Sequence, residues 1–340
     1  MASKKFSGLF GLLCLVASGG FAQIGGGSGS YDVLDSSVIP SKRLPQHTEF
    51  MNNAYPFPAK PRNQSELGIK VGVSSIAGDV RSRFPGFGAG LHWRKALGYV
   101  FSVRVEGGYA QTKGLNFKPS NNYLKNSAYA NNGYVVGGLP TSPVFYNYKT
   151  NMYELAVQGV VTLNNIRFHR AKTGFNVYAF GGVGGMIYDV KVDALNGQGQ
   201  AYNYNNLPGY AGFAANNFQY SDRKDIRKAL KDFTDGSYET EGETDNGQPK
   251  LFGEPFKPMV NVGLGFAFKL NKRLSLAIED KVTIVKTDLL DGNQWQENGI
   301  AAIAQTRDQD WANFLSVGLN VALGGKSVEP LWWVNPLDYA

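Results

Sequence analysis

Three histidines, His47, His92 and His169, are the first candidates for acid–base or metal chemistry, and their spacing argues against both. None forms the H-x-H or H-x-x-x-H pair that sets two imidazoles on one face of a strand or helix. The chain has no G-x-S-x-G, no phosphate-cradling G-x-x-x-x-G-K-[ST] and no C-x-x-C. Glu106 and Glu154 have the types needed for a general acid and base, but their setting favours salt bridges instead. Gly181-Gly182-Val183-Gly184-Gly185 superficially looks like a nucleotide loop. It lies inside an alternating run with no helix signal after it, so close strand packing is the better reading. Asp288-Leu289-Leu290-Asp291-Gly292-Asn293 carries carboxylates at calcium-like spacing without the remaining loop ligands, and reads as a turn. The expectation is a chain with no catalytic, metal or cofactor site.

The elements that would carry such residues repeat one pattern. Val260, Val262, Leu264, Phe266 and Phe268 alternate with Asn261, Gly263, Gly265, Ala267 and Lys269. After a polar break at Asn271–Arg273 the alternation resumes with Leu274, Leu276 and Ile278 against Ser275, Ala277 and Glu279. A two-residue period on both sides of a tight break is a β-hairpin. Six more runs share the period: Glu66–Ser74, Phe87–Arg94, Tyr99–Tyr109, Tyr153–Leu163, Phe175–Asp189 and Trp311–Leu323. In Phe175–Asp189 the pattern is less clean, because Tyr178, Phe180, Met186 and Tyr188 occupy the polar parity.

Eight runs of about ten residues suit strands that cross a bilayer at a tilt. Connections alternate in length. Lys95–Gly98, Asn164–Gly174 and Asn271–Arg273 are short, whereas Lys113–Thr150, Lys191–Pro255 and Thr287–Gln309 are long. Ala77–Gly86 is modest. This is the layout of periplasmic turns and extracellular loops, and in lipid the strands must close on themselves to pair every backbone group. The predicted fold is therefore all-β, an eight-stranded antiparallel transmembrane β-barrel with long extracellular loops, spanning residues 66–324. Trp93, Tyr99, Tyr109, Phe175 and Trp311 lie near run ends, as interfacial aromatic girdles require.

Composition agrees. Charged residues are 18% and aromatics 13%, with 42 glycines in 340 residues. The net charge of +7 comes from scattered rather than clustered basic residues, which argues against nucleic acid as a partner. Residues 1–22 read as a secretory signal peptide: Lys4 and Lys5, an apolar stretch from Phe6 to Ala17, then Gly20-Phe21-Ala22. The only cysteine, Cys14, lies within it, so cleavage after Ala22 leaves no disulfide or thiolate chemistry. Residues 23–65 are rich in Gly, Ser and Pro and read as an extended periplasmic segment, with Pro45, Pro56, Pro58 and Pro61 against a helix. Residues 325–340 read as a periplasmic linker.

With the apolar parity facing lipid, the lumen receives Lys70, His92, Arg94, Arg104, Glu106, Glu154, Gln158, Asn261, Lys269, Glu279 and Lys281. An eight-stranded barrel is narrow enough for side chains to fill. Lys70, Arg104, Glu106, Glu154, Glu279 and Lys281 are therefore expected to form an ion-pair network that plugs it. Asp280 has the lipid-facing parity, which requires either a bulge or a strand that leaves the membrane there. In the longest loop, Ile226, Leu230 and Phe233 give Ser221–Asp235 a helical face, either a loop cap or a partner-binding surface. Tyr- and Asn-rich Ala201–Tyr220 reads as a surface contact or a solvated loop.

Several stretches outside the strands carry a family resemblance: Ser37–Arg43, Phe50–Asn63, Asp288-Leu289-Leu290-Asp291-Gly292 and Glu329-Pro330-Leu331-Trp332-Trp333-Val334-Asn335-Pro336-Leu337-Asp338-Tyr339-Ala340. With the eight runs, they make the chain similar to the amino-terminal barrel of OmpA-family proteins of the Bacteroidetes. The resemblance implies an outer-membrane location and contact with its lipid. It also implies tethering to peptidoglycan through a further domain, none of whose residues lie in these 340. The expected function is a structural barrel of the cell envelope without enzymatic activity. A surface adhesin or receptor working through the loops, and a small diffusion pore, are the alternatives.

Overall fold

The computed structural model describes residues 33–62, 64–166, 174–243, 247–271, 273–296, 304–305, 309–324 and 330–334. The signal-peptide stretch with Cys14, His169, and most of the proposed linker lie outside the described residues.

Eight long strands form the body. They are β1 Ser65–Ala77, β2 Ser82–Ala96, β3 Phe101–Leu115, β4 Asn147–Thr162, β5 Phe175–Val192, β6 Glu254–Lys269, β7 Leu274–Val285 and β8 Trp311–Leu323. Each pairs antiparallel with its neighbours in sequence, and the ring closes because β1 also pairs with β8, from Ser65↔Leu323 to Ala77↔Trp311. Two-residue ladders at Thr240–Glu241 and Lys250–Leu251 extend β5 and β6 beyond the rim. The register slips between Ser82 and Phe87, at the outer end of β2.

Side chains alternate across the wall as the pleat demands. The outer face is apolar: Leu91 is 65% exposed, Leu155 63% and Ile69 59%. A belt of exposed Leu, Ile, Val and Phe around a closed barrel is unfavourable in water and fits hydrocarbon. No helix among the described residues is long and apolar enough to cross a membrane. The fold is an eight-stranded antiparallel transmembrane β-barrel.

Both rims are covered. Under the short-turn rim, residues 33–62 fold back rather than trailing. Lys60 Nζ donates to the Leu97 carbonyl at 2.8 Å, and Val38, Ile39 and Ala59 pack together. This segment is not wholly extended as its prolines suggest: Leu44–Met51 is an α-helix, with Pro45 in its first turn. Proline is tolerated there because the first amides of a helix have no partner to lose. Over the opposite rim, the long connections share one core in which Tyr123, Tyr129, Tyr134, Tyr146, Tyr202 and Tyr204 are buried.

Candidate functional site

The lumen is the place where the charged residues meet. Lys70, Arg104, Glu106, Glu154, Glu279 and Lys281 come from β1, β3, β4 and β7 and point inward because each shares the buried parity of its strand. Lys70 Nζ lies 2.7 Å from Glu106 and 3.0 Å from Glu279. Lys281 Nζ lies 2.9 Å from Glu106 and 2.6 Å from Glu154. Arg104 pairs with Glu279 and reaches Glu106 at 3.3 Å. Three cations thus face three carboxylates, and the layer is electrically neutral.

Neutral side chains extend the network. Arg104 Nε donates to Gln158 Oε1 at 2.5 Å, and Gln158 donates to Asn261 at 3.1 Å. The Tyr178 hydroxyl donates to Glu279 Oε1 at 2.7 Å. His92 and Glu66 sit 3.8 Å apart below this layer. Beside Lys70, Glu106, Glu154 and Lys281, the space open to the centre of a water-sized sphere is about 10 Å³. That is hardly enough for one water.

The inward aromatics of β5 have a physical cause that an apolar-out, polar-in rule misses. Phe180 and Tyr178 fill the lumen opposite Gly263 and Gly265, where an added Cβ would stand 2.3 Å from either ring. The rings then serve the cations, with the Arg104 guanidinium 4.3 Å from the Phe180 centroid. Toward the long-loop rim the filling turns apolar, with Met152, Met186 and Met259 buried.

The short-turn mouth is corked by the chain itself. Pro330–Val334 folds back so that Leu331, Trp332 and Val334 are buried. The Trp332 carbonyl accepts hydrogen bonds from the side chains of Asn165 at 3.0 Å and Asn176 at 2.9 Å. Its ring lies 3.9 Å from the guanidinium of Arg94, which also donates to Ser102 at 2.7 Å and Thr162 at 3.3 Å. Trp333 packs on the cluster that holds Tyr178 and Phe180. Two consecutive tryptophans and an arginine on the inward parity are the available sequence signal, but nothing in their spacing pairs them.

At the other mouth, the helix Arg223–Phe233 buries Ile226 and Leu230 in the tyrosine core. Its apolar face is therefore spent inside the cap and is not a free docking surface. Tyr202 and Tyr204, from the stretch with an open reading, are also buried. Tyr134 donates to the Ala194 carbonyl at 2.6 Å and accepts from the Tyr202 amide at 3.1 Å, so the first and second long loops are stitched together. The third is stitched to the first by Asn126, which donates to the Gly292 carbonyl at 3.2 Å.

Of the expected girdle residues, Trp93 and Phe175 stand exposed near the short-turn rim and Trp311 near the long-loop rim. Tyr109 is half-buried on the outer face, its ring 5.1 Å from that of Tyr153. Tyr99 lies at the short-turn rim, in the turn just before β3 rather than in the strand, which begins at Phe101, and is half-buried against the Leu331–Trp332 cluster. Asp280 resolves without a bulge: its pairings to Leu264 and Leu315 are in register, and it lies exposed on the outer face, accepting from Asn313 Nδ2 at 2.8 Å. A carboxylate against the apolar belt is unfavourable. Asp280→Leu should therefore raise stability in lipid bilayers by about 1–2 kcal/mol, measured by urea titration, with a smaller gain in detergent.

No protein-family model and no curated protein matches the chain. Among solved structures, it resembles Neisserial surface protein A at 9% identity, covering 76% of this chain and 96% of that one, with a TM-score of 0.33. It resembles Ail of Yersinia pestis, solved with the heparin analogue sucrose octasulfate, at 11% identity over 77% and 99%, TM-score 0.33. A major outer membrane protein from Thermus thermophilus shows 12% identity over 77% and 99%, TM-score 0.32. The barrel in this chain is defined by its own closed hydrogen-bond ladder.

Proposed function

We propose that the protein is a sealed structural barrel of the outer membrane, of the OmpA type seen in the Bacteroidetes, that stabilises the cell envelope without catalysing a reaction. One observation carries the reading: a neutral six-member ion-pair layer fills the lumen and leaves about 10 Å³ open beside it. The cork and the tyrosine cap add a barrier at each mouth. The apolar belt and the signal-peptide pattern support the location. Reconstituted into planar bilayers, the protein should give no stable open-channel current. A steady, large single-channel conductance from intact protein would overturn the reading in favour of a diffusion pore.

An adhesin or receptor role is favoured by two exposed hairpin tips on the cap. Val136 and Leu139 are at one, and Phe252, 91% exposed with a φ of 56°, is at the other. Serine at these three positions should leave the barrel fold intact. If the triple variant loses attachment to a surface that wild-type cells bind, the loops rather than the wall carry the function.

A further inference from the structure

Where the third long loop meets the turn between β1 and β2, two carboxyl groups face each other. Asp291 and Asp310 are each 1% exposed. Asp291 accepts from the Val80 amide at 2.7 Å and the Asn293 amide at 3.0 Å. Asp310 Oδ2 accepts from the Leu290 amide at 2.8 Å and the Asp291 amide at 3.2 Å. The other oxygen of Asp310, Oδ1, points to the same spot as Asp291 Oδ2. They lie 2.3 and 2.6 Å from where a Cβ on Gly78 would stand. Glycine at 78 is what leaves room for both.

Two ionised carboxylates so placed, dry and side by side, would repel strongly. The four backbone amides offset only part of this. Asp79 from the β1–β2 turn and Asp288 from the same loop add to the repulsion, and the phenol of Tyr148 from β4 lies within their field; among the described residues, none of these three neighbours is a cation. We propose that Asp291 and Asp310 hold a single proton between them, and that this shared proton latches the segment around Leu290 and Asp291, together with Asp310, onto the β1–β2 turn. The proton sits on the Asp310 Oδ1 side and is donated to Asp291 Oδ2. The contact thereby becomes an acid–carboxylate hydrogen bond, and the surrounding amides satisfy the remaining lone pairs. The site lies just past the strand ends, on the side of the cap, open to the pH outside the cell.

The sign follows from proton linkage. Burial and the neighbouring carboxylates raise the pair as a unit, so that the one shared proton, carried on Asp310, is held up to about 8. In an opened loop both ionise near pH 4. Opening therefore releases a proton. It becomes easier as pH rises from about 4 to about 8, by about tenfold per pH unit, and levels off above that.

Hydrogen exchange on the intact barrel in detergent micelles, corrected for the intrinsic pH dependence of exchange, reads this directly at the amides of Val80, Leu290 and Asp291. In wild type, opening should grow roughly hundredfold between pH 6 and pH 8. Asp310→Asn supplies an uncharged donor in place of the shared proton and should hold these amides protected and pH-independent over that range. Asp291→Asn should do the same, and serves if the first variant fails to fold. Wild-type protection that does not change with pH overturns the proposal, as does a pH dependence that survives both asparagine variants. Protection that is lost with EDTA and restored by Ca²⁺ at fixed pH also overturns it, since a cation would then occupy the place assigned to the proton.

Discussion

Glu279→Leu should lower the unfolding free energy of the barrel by about 3–5 kcal/mol, the usual cost of breaking a buried ion pair. Glu279 is the residue on which the lumen converges: it binds Lys70 at 3.0 Å, pairs with Arg104, and accepts from Tyr178 at 2.7 Å. Leucine leaves three buried cations against two carboxylates. Leu-for-Glu together with Lys70→Met restores the balance, with Arg104 and Lys281 against Glu106 and Glu154, and replaces charge by apolar volume. This double variant should recover most of the loss, because a buried pair exchanged for packed hydrocarbon is often neutral or better. Urea unfolding followed by tryptophan fluorescence in one detergent would measure both. A single-variant loss below about 1 kcal/mol, the value of a solvated surface pair, would mean that water reaches the layer and that the lumen is not sealed.

Trp332→Ala should be the other costly change, at about 3–5 kcal/mol, as for other buried aromatic truncations. The loss has two parts. One is packing, since Trp332 is 3% exposed. The other is the cover over Arg94, whose guanidinium lies 3.9 Å from the ring centre. A double-mutant cycle with Arg94→Met separates them and should return a coupling of about 1–2 kcal/mol, as for a desolvated cation–π contact. Additive losses would assign the cork's contribution to packing alone. A loss near zero from Trp332→Ala would mean that Pro330–Val334 does not stay docked in the mouth.

Much of the wall is legible in the residue pattern alone, because a strand with lipid on one side and a polar interior on the other must alternate. All eight runs are strands, and the hairpin around Asn271 is where its polar break places it. The six expected lumen residues do meet. The failures share a cause. Parity assigns a face but assumes what fills it, so Tyr178 and Phe180 look misplaced until Gly263 and Gly265 on the facing strand explain their room. Tyr99 reads as strand because alternation has no marker for the turn that precedes it. The tyrosines of Ala201–Tyr220 read as either a surface contact or a solvated loop because tyrosine suits water and core alike, and the pairing of Tyr134 with Tyr202 across two loops places them in the cap core. Pro45 argues against a helix whose first turn it in fact occupies. Trp332 cannot be linked to Arg94 by pattern, since their contact joins segments far apart along the chain.

The seam between β1 and β8 bears on how the molecule is made. Ser65 lies opposite Leu323, so the ring is closed by its first and last strands. Every other seam joins strands that are consecutive in the chain. Contacts of such high sequence separation form late and slowly, after the loop-closure entropy between them has been met. Assembly should therefore pass through an open, curled sheet whose two free edges are β1 and β8, and those edges are the surfaces most prone to pair wrongly with another chain. Until the seam shuts, the backbone groups along both edges lack partners in lipid, which makes closure and stable insertion one event rather than two.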